Sequence, residues 1–137
     1  MKIHIVNKNQ NPISGYKEII VDQQKIDFQD ISDNECEFIM ANQILNDFEH
    51  ENIGNCISAI LKKLRIGGTV VIGGIELRMF CKSIINGLIK SDNASNQISN
   101  CSSMTDITEV TNLIRSTGLN IVSTQINGMH YEITAKR

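Results

Sequence analysis

Residues 36–76 decide the fold: Cys36-Glu-Phe-Ile-Met-Ala41, then Asn42-Gln-Ile-Leu-Asn-Asp-Phe48, then Glu51 to Leu64, then Arg65-Ile-Gly-Gly68 and Thr69-Val-Val-Ile-Gly-Gly74-Ile-Glu76. The first and last pieces are apolar runs of strand length. Between them Ile53, Ile57, Ile60, Leu61 and Leu64 recur at helical spacing, so about Glu51 to Leu64 is expected to be an amphipathic helix. Lys62, Lys63 and Arg65 suit the negative end of its dipole. Gly67-Gly68 is expected to stop it, since glycine takes the left-handed conformation that many helix ends need. This is a strand–helix–strand unit. Its strands are apolar on both sides, which places them in a parallel sheet covered by helices.

Toward the amino terminus, Lys2 to Val6 reads as a first strand and Ile19 to Val21 as a second, ended by Asp22. Ile26 to Phe28 reads as a third, ended by Asp30. The polar connection from Asn7 to Tyr16 is too short for an ordinary crossover helix. Toward the carboxyl terminus, Leu77 to Lys90 is expected to be helical, with Phe80, Ile84, Ile85 and Leu88 on one side. Ser91 to Ser103, rich in Ser and Asn, reads as a mobile loop or lid. Ser103 and Asp106 form a candidate capping box for a further helix that buries Ile107, Val110, Leu113 and Ile114 and closes at Gly118. Leu119 to Ile126 and His130 to Ala135 then flank Asn127-Gly128, a hairpin signal. Periodicity alone yields an open α/β sheet.

With 137 residues the chain is expected to be a single domain, 1–137. A net charge of -2 and scattered basic residues argue against a partner held by phosphate charge, so no nucleic acid is expected. No apolar run reaches membrane-spanning length and the start is too soon polar for a signal peptide, so no membrane is expected and the chain reads as cytoplasmic. Cys36, Cys56, Cys81 and Cys101 lack zinc-ligand spacing and read as buried free thiols, with no metal.

Asp33-Asn34, Cys36-Glu37-Phe38-Ile39, Ala41 to Phe48 and Leu61-Lys-Lys-Leu-Arg65-Ile-Gly67-Gly68-Thr-Val-Val-Ile72 together resemble the class I S-adenosylmethionine-dependent methyltransferases. More narrowly, the chain is similar to a compact subgroup that begins at the first strand. Leu64 to Gly68 stands where that subgroup has Leu-Lys-Pro-Gly-Gly, with Ile66 in place of the proline. The resemblance runs from Lys2 to about Val122 through loose motifs. It implies a Rossmann-like α/β fold, a mostly parallel sheet of order 3-2-1-4-5-7-6, a C-terminal antiparallel hairpin and reduced helices in the amino-terminal half.

In open α/β sheets ligands bind beyond the carboxyl ends of the strands. That rim collects Asn7, Lys8, Asp22, Asp30, Asn42, Gln43 and the run Gly73 to Glu76. The resemblance implies S-adenosylmethionine as cofactor, with Asp22 on the ribose diol, Asp30 and Ile31 beside the adenine, and Asn7 and Lys8 toward the methionine end. The plain alternative for Asp22 and Asp30 is a polar strand end in solvent, and for Gly73 and Gly74 a relief of packing. Three departures stand out. Asn7-Lys8-Asn9 replaces a Gly-x-Gly loop, Gln43-Ile-Leu-Asn46-Asp47 replaces His-x-Leu-Glu-His, and Ile75-Glu76 replaces Pro-Asp. Among histidines, His4 reads as packed in a strand, His50 as a surface helix cap, and His130 as remote from the rim. Two readings follow: methyl transfer to a small-molecule or saccharide acceptor, or a methyltransferase-fold interaction subunit that no longer takes the cofactor. A homodimer with the exposed faces packed together is compatible with either.

Overall fold

The computed structural model describes residues Met1–Arg137. The chain runs β1 (Lys2–Val6), β2 (Lys17–Asp22), β3 (Lys25–Ile26), β4 (Cys36–Ala41), α1 (Ile53–Lys63), β5 (Leu64–Ile75), α2 (Leu77–Ile85), α3 (Ser91–Asn100), α4 (Ile107–Ser116), β6 (Asn120–Asn127) and β7 (His130–Lys136). One seven-stranded sheet has the order β3-β2-β1-β4-β5-β7-β6, as the resemblance implies.

The central unit forms as its pattern requires. β4 lies parallel to both β1 and β5, and α1 buries Ile53, Cys56, Ile57, Ile60 and Leu61. Each large aliphatic side chain removed from water there contributes about 1.5–3 kcal/mol. The helix end differs from expectation. α1 stops at Lys63, Leu64 is already extended, and Leu64 pairs with Cys36 before Arg65 to Gly68 loop out of the ladder. Gly67, at φ +78°, turns the chain within that bulge rather than capping the helix; its N–H donates to the Arg137 carbonyl.

The largest core cluster, 25 residues, gathers α1 and α4 with Ile3, Ile5, Ile39, Ile72, Tyr131 and Ile133 on one face of the sheet. The opposite face carries His4, Phe38, Met40 and Val71, and Tyr16 lies edge-on to both His4 and Phe38, with ring centroids 6.5 and 5.9 Å away. The connection from β1 to the parallel β2 contains no helix, so an aromatic ring pads the face that a crossover helix would otherwise cover. Ile20 stays 52% exposed there. The helices are thus reduced in this half, as the resemblance implies.

β3 is the second departure. It pairs antiparallel with β2, through a tight turn whose two central residues, Gln23 (φ 46°) and Gln24 (φ 60°), both take left-handed conformations. The chain therefore reverses after Asp22 and runs back toward the starts of the strands.

Downstream, α2 ends at Ile85 rather than near Lys90, and of its expected buried side only Phe80 is buried; Ile85 and Leu88 are 83% and 78% exposed. Residues 91–100, expected as a mobile loop, form α3, held by Ala94 against Ile75 and Phe80. α4 is capped by Asp106 itself, whose carboxylate accepts from the Glu109 N–H. Ser103 takes no part in that cap. Its hydroxyl donates to the Phe48 carbonyl at 2.6 Å. No helix is long and apolar enough to cross a membrane.

Candidate functional site

β1 and β2 end side by side, and the loop after β1, the β2–β3 turn and the segment after β4 enclose a cleft of about 430 Å³ at their carboxyl ends. Its walls include Asn7, Lys8, Asn9, Asp22, Gln24, Asp47 and Ser102. A second hollow of about 270 Å³ shares Gln24 and continues between the hairpin and α1, lined by Ile26, Phe48, Asn52, Cys56 and Ala59. The first is polar and the second has an apolar side, a division that suits a ligand with one polar and one flat apolar part.

Asn7, Lys8 and Asp22 meet in the cleft as the sequence indicates. Lys8 Nζ lies 3.6 Å from the Asp22 carboxylate, with the two side chains 77% and 68% exposed. An ion pair that exposed is worth about 0–1 kcal/mol, so either group is free to exchange its partner for a ligand. The Asn7 side chain accepts from the Asn9 N–H and donates to the Gln43 carbonyl. It thereby spans the gap between the β1 and β4 ends. Asn7, Lys8 and Asn9 have no left-handed φ, so this loop has no conformational need for glycine; what the side chains change is the space above the backbone.

Asn42 stands one step away from the cleft. It accepts from Gln10 Nε2 at 2.9 Å and donates to Glu132 Oε1 at 3.0 Å, tying the first loop to β7. Asp30 and Ile31, expected beside an adenine, do not line this cleft. Asp30 lines a separate hollow with Lys17 to Ile20, where β2 begins. Ile31 is buried in the main core, and its carbonyl accepts from Lys63 Nζ at the far end of α1. The β2–β3 hairpin is the cause, since reversal carries the segment after Ile26 that holds Asp30 and Ile31 away from the rim.

Asp47 is the residue the sequence reading missed. It ends the 3₁₀ turn Leu45–Asp47, lines the cleft, and its Oδ2 is buried without a hydrogen-bond partner. Burial pushes its carboxyl above the usual carboxylate range, and the Asn7 amide offsets this only in part. A carboxyl group so placed is a candidate proton acceptor. The signal was its place as the last residue of the Gln43–Asp47 motif.

Glu76 turns out to be structural. It is 2% exposed, accepts from the Arg78 and Met79 N–H groups at the start of α2, and accepts from Ile107 N–H at the start of α4. Gly73 is a packing glycine, because a Cβ there would lie 2.1 Å from the Tyr131 carbonyl oxygen and 2.6 Å from that of Asn42. His50 pairs with Glu109 at 2.6 Å on the surface. His130 pairs with Ile75 in the β5–β7 ladder, which puts it near the carboxyl end of β5 rather than remote from the rim. His4 is packed: its Nδ1 accepts from the Ile13 N–H, and burial holds its pKa below the ordinary histidine value. All four cysteines are free, but only Cys36 and Cys56 are buried; burial pushes the Cys56 thiol up to about 12.

No family model matches the chain, and no curated protein matches it. Solved structures do. An S-adenosylmethionine-dependent methyltransferase from Archaeoglobus fulgidus aligns over 99% of this chain and 86% of its own, with a TM-score of 0.62 and 11% identity. An O-methyltransferase family protein from Burkholderia thailandensis gives a TM-score of 0.62 at 14% identity over 88% of this chain. The 1,6-didemethyltoxoflavin-N1-methyltransferase of that organism, solved with bound 1,6-didemethyltoxoflavin and S-adenosylhomocysteine, gives 0.57 at 15% over 90%. The chain spans only 36% and 52% of those two proteins. This chain has the fold of the class I S-adenosylmethionine-dependent methyltransferases.

Proposed function

We propose that this domain takes S-adenosylmethionine in the cleft above β1 and β2 and acts as a small methyltransferase. The observation that carries the reading is Asp22. Its carboxylate ends β2, opens onto the cleft, and is engaged only by a surface lysine. In this reading Asp22 accepts from the ribose hydroxyls, Lys8 turns to the cofactor carboxylate, and the adenine takes the hollow of Ile26, Phe48, Cys56 and Ala59. That hollow takes over from Asp30 and Ile31. The bound cofactor would supply an electrophilic methyl group. The chain's own part is alignment, together with removal of an acceptor proton by the Asp47 carboxylate at the cleft wall. The acceptor is a small molecule or saccharide, in keeping with a cleft whose outer wall is polar.

The residues fit the nucleoside part better than the methionine end. There the Asn7 side chain bridges to Gln43, and a neutral hydrogen bond of this kind is worth about 0.5–1.5 kcal/mol. Opening it together with the Lys8–Asp22 pair lowers affinity without forbidding binding. The second reading, an interaction subunit that has given up the cofactor, is favoured by this same bridge. Calorimetric titration with S-adenosylmethionine and S-adenosylhomocysteine, on the parent chain and Asp22→Ala, decides between them. Binding that Asp22→Ala weakens at least tenfold supports the enzyme. A folded parent chain that takes up neither compound at millimolar concentration leaves the interaction subunit.

A further inference from the structure

β6 is an outer strand of the sheet, and apart from one bulge it is undefended. It runs Asn120-Ile-Val-Ser-Thr-Gln-Ile-Asn127 without a proline or a charge, and nothing pairs with its outer side. Edge strands of this length normally carry lysine, proline or an inward charge, because their free N–H and C=O groups are a template for another strand. Val122 and Ile126 are 62% and 45% exposed. What fits this edge is written in the strand itself.

The register with β7 fixes which way each residue faces. Ile121, Thr124 and Ile126 pair with Ala135, Ile133 and Tyr131, whereas Asn120, Ser123, Gln125 and Asn127 pair with Lys136, Thr134, Glu132 and His130. The register shifts between Ile121 and Ser123, so Val122 is an extra, bulged residue. Two copies of β6 laid antiparallel, with the two-fold axis at Thr124, then match face for face. Thr124 meets Thr124, Ser123 meets Gln125, Ile126 meets the bulged pair Ile121-Val122, and Asn120 meets Asn127. Each side chain finds one of its own class, which is the pairing that stabilises cross-strand contacts.

We infer that the chain forms a two-fold dimer through antiparallel β6–β6 pairing, which joins two sheets into one of twice the width. This interface is independent of the cofactor reading and leaves the cleft of each copy open, since β6 lies at the opposite edge from β2 and β3. Sedimentation velocity over a concentration series tests it, with Thr124→Lys, Thr124→Glu and an equimolar mixture of the two. The parent chain is expected to dimerise, each variant alone to sediment as a folded monomer because like charges meet on the axis, and the mixture to recover the dimer. Should Thr124 variants fail to fold by circular dichroism, Ser123→Lys/Gln125→Lys mixed with Ser123→Glu/Gln125→Glu makes the same test one pair away, since residue 123 of one copy meets residue 125 of the other. A parent chain that stays monomeric, or a dimer that survives both single charges, overturns the proposal.

Discussion

The two halves of this sheet are built to different standards. From β4 to β6 helices connect the strands, α1 and α4 pack into the main core, and close backbone packing leaves Gly73 no room for a side chain. From β1 to β3 a loop replaces the first helix, a two-residue turn replaces the second crossover, and Tyr16 pads one face. All the cleft's polar walls except Asp47 and Ser102 come from the lighter half. The lesson is a division of labour: the carboxyl half holds the fold, and the amino half can change its loops cheaply because little packing depends on them.

Substitutions can break that comparison. The largest effect is expected for Gly73→Ala, which drives a methyl group onto the Tyr131 carbonyl and should destabilise the chain by about 3 kcal/mol or more, read from denaturant midpoints. Ile60→Ala, fully buried in α1, should cost about 2–5 kcal/mol by the same measurement. In the lighter half Ile20→Ala should cost under about 1 kcal/mol, since its side chain is half exposed. A cost as large as that of Ile60→Ala would erase the distinction.

Acid titration sharpens the contrast between the halves, with His4 in one and Asp47 in the other. His4 has a folded pKa below its unfolded value because burial disfavours the charged ring, and Glu18 only partly opposes this. Its contribution is therefore fully present above about pH 6.5 and lost as pH falls below that value toward the folded pKa. The melting temperature of the parent chain should drop over that window more than that of His4→Gln. Asp47 has the opposite sign. Its raised carboxyl pKa makes folding less favourable as pH rises from about 4 through the folded value. Asp47→Asn should accordingly raise the melting temperature slightly at pH 7, the smallest effect here, while abolishing any activity that depends on a base.

What could be read in advance followed the same division. Ile53, Ile57, Ile60 and Leu61 have one helical solution, and the sheet order followed from resemblance in that region. The site was read less well for identifiable reasons. Gln23-Gln24 forms a turn that sequences normally mark with Asn or Gly, so the reversal of β3 and the displacement of Asp30 and Ile31 left no trace. α3 was hidden because Ser and Asn are poor helix formers and only Ala94 is buried. Asp22 was legible because a strand end marks its own position. Asp47 was marked only by its place at the end of the Gln43–Asp47 motif, because its importance lies in burial, which no spacing records.

Glu76 binds the amides that open two separate helices, α2 and α4, to one carboxylate at the end of β5. Those helices are far apart in the chain, yet neither can fray at its first turn without giving up a share of the same acceptor. In hydrogen–deuterium exchange the amides of Arg78, Met79 and Ile107 should therefore exchange as a single opening unit, and Glu76→Ala should release all three together.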